Sequence, residues 1–427
     1  MSKRAPSIVL TLALSAFAIS IATIAPRPAD AAIKESEKDK EKPLTVSKKV
    51  GVALQAAQAA IAEKKFDEAA EKIKEADEVS KKTDFDQFQI NEFRAYLYAN
   101  QNSHFDEIVD LYEKSLETPQ FFSGDSAKQR IKQLVVVTYN AKKYDKTVDY
   151  AKQWLADHPD DKSILDLLGR VYYVQKDYQQ ARQTEQKLID LAESGGEKPE
   201  ELWLQLVQSC AGELDDEAGI IKSYEKLVRY YPKPDYWDRL LAYNTQNERS
   251  EAVMLGIFRL QADLDLLTRP SDYVEYAQLA MEKAMPGEAL KVVQAGFDKK
   301  ILGVDPKEKE REQLLLSKAK QKAASDRAQI PTYEKEAQSA GAKDGRAVAG
   351  LGLAYFSYDM YEQAISALEK GLQMGGLKDP DGYRLVLGIS YLRKGDAMRA
   401  RAEFEKVVAG KTPLAKSANL WALRTYN

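Results

Sequence analysis

The sequence predicts an all-α fold, an α-solenoid of antiparallel helix pairs stacked into a right-handed superhelix. Two observations carry that prediction. One pattern recurs three times without gaps. It appears as Leu168-Gly169-x-x-Tyr172 followed by Asp177-Tyr178-x-x-Ala181, and as Leu351-Gly352-x-x-Tyr355 followed by Tyr361-x-x-Ala364. The third copy is Leu387-Gly388-x-x-Tyr391 followed by Gly395-Asp396-Ala397-x-x-Ala400-x-x-x-Phe404. Each reads as helix, polar turn, helix: the small residue admits a neighbouring helix, and the Tyr shares a face with the Leu. The second observation is an aromatic residue opening the second helix at Phe66, Phe105, Tyr144 and Tyr178, with spacings of 39, 39 and 34 residues. A unit of this size cannot bury its apolar face alone, so successive units must stack.

From the N-terminus, Lys3 and Arg4 precede an apolar run from Ile8 to Ala25, and Ala29-Asp30-Ala31 supplies a small-x-small site. These are the parts of a secretory signal peptide over residues 1–31, cut after Ala31. The same run is barely long enough to span a bilayer, so an uncleaved inner-membrane anchor is the alternative. Residues 32–46, with the charged stretch Lys34–Lys42, form a linker. Residues 47–303 hold the N-terminal and central repeats: Phe66-x-x-Ala69 and Tyr144-x-x-Thr147 keep the motif, and Pro159 and Pro232 close their units. Further units run over Glu201–Pro232 and Ser271–Lys300, while 235–267 keeps the size of a helix pair and loses most of the motif. Residues 304–343, dense in Lys, Glu and Ala with Pro331 inside, predict two polar bridging helices. Residues 344–427 carry the last repeat pair. There Pro413–Tyr426 reads as an extra helix covering the apolar end that a solenoid exposes. Nine helix pairs are expected in all.

Composition narrows the function classes. The 427 residues are 44% hydrophobic and 30% charged, ample for a core and unlike a disordered chain. The 63 Lys and Arg against 66 Asp and Glu give a net charge of −3, which disfavours a nucleic-acid partner. One Cys and two His supply no disulfide framework and too few ligands for zinc, haem or an iron–sulfur cluster, so no metal or cofactor is expected. Cys210 lies far from the signal, which excludes a lipid-anchored mature N-terminus.

The Leu-Gly-x-x-Tyr and aromatic-x-x-Ala offsets resemble the tetratricopeptide repeat (TPR) family, whose 34-residue unit carries those residue types. A closer likeness rests on Val228-Arg229-Tyr230-Tyr231-Pro232-Lys233-Pro234-Asp235-Tyr236-Trp237, on Gly256-Ile257-Phe258-Arg259-Leu260, and on Gly375-Gly376-Leu377-Lys378-Asp379-Pro380-Asp381. With the Lys/Glu/Ala helix after Val304, these resemble exported proteobacterial TPR proteins often encoded beside TonB–ExbB–ExbD energy-transduction components. The resemblance implies a family and a neighbourhood, and brings no catalytic residues.

Individual motifs point away from chemistry. Gly410-Lys411-Thr412 looks like the end of a phosphate-binding loop, but Glu405 stands where its first Gly is required; a helix C-terminal Gly before Pro413 is the better reading. Asp379-Pro380-Asp381-Gly382 lacks the closing Glu of a calcium loop and reads as a helix start. His104 and His158 sit in separate turns and are expected to face solvent, and Cys210 is read as packing. The chain is expected not to be an enzyme; a carboxylate pair in the concave groove is the catalytic alternative.

Binding is expected on the concave wall made by the first helix of each pair. Its inward offsets place Phe93, Leu97, Tyr139 and Tyr173 on the N-terminal wall, with Asp166 and Arg170 beside Tyr173. On the C-terminal wall they place Arg346, Ala349, Leu353, Phe356, Leu385, Ile389, Leu392 and Arg393, an apolar groove with an Arg at each rim. The Lys/Asn carboxylate clamp of some TPR proteins is missing. Such a groove suits an amphipathic helix or an extended apolar segment of a protein partner. The expected function is a non-catalytic periplasmic protein-interaction scaffold, an accessory of a TonB-type or outer-membrane transport system. The alternative client is envelope polymer synthesis or outer-membrane protein assembly.

Overall fold

The computed structural model describes residues 44–122, 125–246, 248–339 and 344–427. The signal peptide and nearly all of the linker expected over 1–46 lie outside the described residues. Those described form twenty α-helices and no strand, and the chain divides into two compact units at Glu217/Ala218. Each is an all-α helical repeat. The division falls inside the stretch 47–303 that the sequence reads as one continuous block.

The first unit pairs α1 (Lys48–Ala62) with α2 (Phe66–Asp77), α3 (Asp84–Asn100) with α4 (Phe105–Leu116), α5 (Ser126–Asn140) with α6 (Tyr144–Asp157), and α7 (Lys162–Val174) with α8 (Tyr178–Ser194); α9 (Glu201–Glu213) completes it. The second helices start on the aromatic residues that the spacing singles out. Side chains fix the starts of two first helices, α3 and α7. Thr83 and Asp86 form a reciprocal capping box at α3, and Asp86 also accepts the Ser47 amide at 2.7 Å, tying α3 to the entry of α1. Asp161 caps α7 and accepts from Lys132 and from Trp154 Nε1, each at 2.8 Å. Partial burial would raise its carboxyl, but these donors hold it at about 2.

The second unit contains α10 (Glu217–Tyr230), which starts at the boundary, then α11 (Pro234–Thr245), α12 (Glu251–Asp263), α13 (Pro270–Glu282) and α14 (Pro286–Asp298). A long α15 (Lys309–Ser339) leads to α16 (Arg346–Ser357), α17 (Tyr361–Met374), α18 (Pro380–Arg393), α19 (Ala397–Ala409) and α20 (Ala415–Arg424). The two bridging helices expected over 304–343 are one helix that continues through Pro331. Pro331 is exposed, so the carbonyl it leaves unpaired can meet water. The inner edge of α15 buries Ala319, Ala323, Ile330 and Ala337, and Tyr358 and Tyr355 bond across to Asp326 and Glu334 at 2.8 and 2.6 Å.

The turn inside most helix pairs repeats one backbone device. Two residues before the second helix, Lys64, Lys142, Lys176, Asp215, Ala284, Asp359 and Gly395 adopt left-handed conformations, with φ between 53° and 81°. The next residue then donates its amide to a carbonyl five positions back, as Met285 does to Ala280 at 2.9 Å. Only Gly395 adopts this conformation without a side-chain penalty.

Closure of the second unit departs most from expectation. The C-terminal helix covers the last repeat and also docks on α12. Ser417 Oγ donates to Val253 O at 2.9 Å, and Trp421 Nε1 donates to Gly256 O at 2.9 Å. Arg424 Nε reaches Asp263 at 2.8 Å, and Asn427 Nδ2 reaches Val228 O at 3.0 Å. Tyr426 lies between the guanidiniums of Arg229 and Arg401, 4.4 and 3.7 Å from its ring centre. Residues 235–267 lose the repeat motif because α12 is a central helix: all six residues from Leu255 to Leu260 are buried.

Two stability changes follow. Ala284→Gly relieves the left-handed strain at an otherwise unchanged turn and is expected to stabilise the chain by about 1 kcal/mol in denaturant unfolding. Trp421→Ala empties the seat of α20 and should cost about 3–5 kcal/mol in the transition of the second unit.

Candidate binding pocket

The C-terminal wall expected to face a partner is largely covered by the chain's own α12. Leu385 is buried, and its Cδ2 would lie 3.3 Å from a Cβ at Gly256. Phe356 is buried beneath the guanidinium of Arg259, 5.3 Å from its ring centre, and Arg393 Nη1 bonds Asp263 at 2.8 Å. What covers it is the buried stretch Leu255–Leu260 of α12. Ala349 is buried against Gly371, Leu353 and Leu392 are half-buried, and Arg346 is exposed and bonded to its neighbour Asp344 at 2.6 Å. On the N-terminal wall, Phe93 and Leu97 are core side chains packed with α1 and α2. Tyr139 and Tyr173 are half-buried; Tyr173 shares a hydrogen bond of 2.7 Å with Ser209 and meets Tyr178 edge-on.

Phe356, Ile389 and Arg393 do converge, on a cavity of about 370 Å³ within the second unit. Its floor is Arg259, Glu288 and Tyr276. The guanidinium grips Glu288 with two bonds of 2.7 and 2.8 Å, and Tyr276 donates its hydroxyl to the same carboxylate at 2.7 Å. Burial alone would raise the Glu288 carboxyl, but Arg259 outweighs it and holds the group below its usual range. Burial and the Glu288 charge push the Tyr276 hydroxyl well above its own. Gly287 allows this approach, because a Cβ there would sit 2.7 Å from Ser357 O and 2.5 Å from the Tyr358 ring. The Glu288 amide donates to Ser357 Oγ at 3.0 Å.

The rim is exposed and carries both charges. Lys291 pairs with Asp359, Lys299 with Asp265, and Arg393 with Asp263; Tyr361 donates to Asp359. The exposed pairs, Lys291 with Asp359 and Lys299 with Asp265, contribute up to about 1 kcal/mol each, whereas the Asp263 carboxylate is buried. Val292, Ala295, Tyr273 and Leu267 supply apolar wall between them. The sequence reading missed these residues because Arg259 comes from the motif-poor 235–267 segment, Glu288, Lys291 and Lys299 from a second helix and its end, and Tyr276 from a first helix outside the two walls named above.

Other singled-out residues have structural roles. Cys210 is wholly buried, and burial pushes its thiol up to about 12. His104 is exposed and stacks on Tyr98; His158 is half-buried and stacks on Trp154 with ring centres 3.8 Å apart. Gly410 follows α19, Thr412 bonds Asp381 at 2.9 Å, and Asp379 caps α18. Among the described residues, no group of three or more metal-binding side chains is assembled and no helix is long and apolar enough to cross a membrane.

Residues 139–196 match a tetratricopeptide repeat family model. This TPR segment runs from the end of α5 through α8. No curated protein matches the sequence. Among solved structures, a tetratricopeptide repeat protein from Parabacteroides merdae is similar at 11% identity, covering 80% of this chain and 99% of that one, with a TM-score of 0.29. The structure of Naa15/Naa10 bound to HypK-THB is similar at 16% identity, covering 88% of this chain and 62% of that one, with a TM-score of 0.31. The complex of the TPR2AB domain of yeast Sti1 with an HSP90 peptide is similar at 13% identity, covering 71% and 98%, with a TM-score of 0.24.

The buried pair gives a clear expectation. Glu288→Gln leaves Arg259 without its counter-charge and should cost about 3–5 kcal/mol by denaturant unfolding. Pairing Arg259→Met with Glu288→Leu should recover most of that loss, because neither buried charge then remains.

Proposed function

We propose that the chain is an exported, non-catalytic protein-interaction scaffold and that the pocket of its second unit is the capture site. The observation that carries this is the cavity itself, with an aromatic and ion-paired floor, an apolar wall and a rim of charge pairs. Its size suits one aromatic or branched side chain of an extended protein segment, with flanking charges of either sign read by Lys291, Lys299, Asp265 and Asp359. The TPR segment in the first unit supports a protein partner, as does the helix-pair architecture of both units.

Export rests on Lys3, Arg4, the apolar run Ile8–Ala25 and Ala29-Asp30-Ala31, the parts of a secretory signal peptide, which support a periplasmic mature chain. By resemblance, the client is a component of a TonB-type energy-transduction or outer-membrane transport system. The catalytic alternative calls for a cleft carboxylate pair with a raised pKa, whereas the buried Glu288 is held low and locked by Arg259.

The test is in-cell photo-crosslinking from position 299, with mass spectrometry of the captured periplasmic and membrane proteins. Ala295→Trp plugs the cavity from its half-buried wall and should lower recovery of the crosslinked partner at least tenfold with the fold intact by circular dichroism. Undiminished capture in this variant would move the binding surface elsewhere.

A further inference from the structure

The first unit contains a core position that the matching repeats of the second unit mark as anomalous. In the last two repeats the Gly of the first helix packs on an apolar residue four positions after the motif Ala. A Cβ at Gly352 would meet Leu368 at 2.7 Å, and one at Gly388 would meet Phe404 at 2.4 Å. In the repeat at α7 and α8 the equivalent of these two residues is Glu185. A Cβ at Gly169 would lie 2.3 Å from Glu185 Oε1. The carboxyl is only 1% exposed, and neither oxygen has a hydrogen-bond partner. An ionised carboxylate there carries the full desolvation penalty, and the equivalent positions show that the fold is served by a hydrocarbon.

We propose that Glu185 is a protonation switch in the core of the first unit: neutral, it packs as Leu368 and Phe404 do, and ionised, it loosens the seam between α7, α8 and α9. Of the charged groups around it, Arg170 favours the ionised form and is outweighed by burial and by Asp166. From α7 it faces Asp166 and Arg170, and Arg170 is held by Asp166 at 2.7 Å. Asp166 also accepts from Trp203 Nε1 of α9 at 2.9 Å. From the α9 side it faces Glu200, a like charge, and the buried Cys210. On its own helix, Arg182 is committed to Asp216 at 2.6 Å. Burial first, then Asp166, pushes the Glu185 carboxyl well above the usual carboxylate range.

The sign is set by linkage. The native state holds the proton more tightly than the unfolded chain, whose Glu titrates near 4.5. Stability of this seam is therefore greatest at acid pH. It falls as pH rises above that value and levels off beyond the folded-state pKa. Asp161 and Asp86 are held low and act in the opposite sense, in a window below their ordinary values, so they do not mask the effect. The switch bears on the inner wall through Arg170, whose charge also reaches Tyr139.

Hydrogen exchange of the full chain between about pH 5 and about pH 8, normalised for intrinsic rates, tests this. Protection of the α7–α9 amides should fall with rising pH, by up to about tenfold per pH unit. Glu185→Leu, which installs the residue of the neighbouring repeat, should abolish that dependence. Glu185→Gln, which keeps the shape and stays neutral, should do the same should Leu prove too bulky. Glu92→Gln serves as control, because Glu92 is also raised by burial but pairs with Arg130 at α3 and α5. The proposal is overturned by a wild-type slope that persists in both Glu185 variants, by a flat wild-type profile, or by a slope that the Glu92 variant removes.

Discussion

Gly256 is the point on which the second unit depends. Six consecutive buried residues, Leu255–Leu260, span well over one full turn of helix, so the middle of α12 has no solvent face and is packed from every direction. Such a helix must offer a place where neighbours come close, and Gly256 provides it. A Cβ there would lie 2.7 Å from Ser417 Oγ and 3.3 Å from Leu385, so one missing methyl seats both α20 and α18. The consequences run outward. Enclosing α12 buries Arg259, whose guanidinium then requires Glu288, and Glu288 in turn takes the Tyr276 hydroxyl. Gly287 and Ser357 bring the start of α14 close enough to complete the arrangement.

The repeats show how one register can serve different ends. The same interhelix position is filled by Leu368, Phe404 and Glu185, facing Gly352, Gly388 and Gly169. Two of these occupants contribute apolar burial and no electrostatic demand. The third removes a carboxyl from water with nothing to receive it, within the segment that matches the TPR family model. Backbone geometry absorbs such exchanges, because the turn ahead of most second helices is held by left-handed residues and amide–carbonyl bonds that do not depend on the core side chain.

Much of the helical architecture is legible in the sequence. The aromatic residues at 66, 105, 144 and 178 are the first residues of α2, α4, α6 and α8, because the local period and the turn chemistry are both short-range. Asp379 capping α18 is legible for the same reason. The docking of α20 on α12 is not, since Ser417 and Val253 are 164 residues apart and neither carries a motif. That unseen contact explains why the expected groove residues divide as they do. Offsets along one helix give a face, and nothing in the repeat pattern announces that another helix of the same chain will cover it. The distinctive stretches Val228–Trp237 and Gly256–Leu260 were visible as unusual, and they take part in closing the unit. The single helix through Pro331 was hidden by the proline, which a local reading treats as a break.

Closure and the pocket rim share a residue. Asp263 is almost fully buried and divides its carboxylate between Arg393, on the pocket rim, and Arg424, in the docked C-terminal helix, at 2.8 Å each. Either arginine alone would leave the carboxylate with a single counter-charge, so the position of Arg393 on the rim and the seating of α20 answer to one buried group.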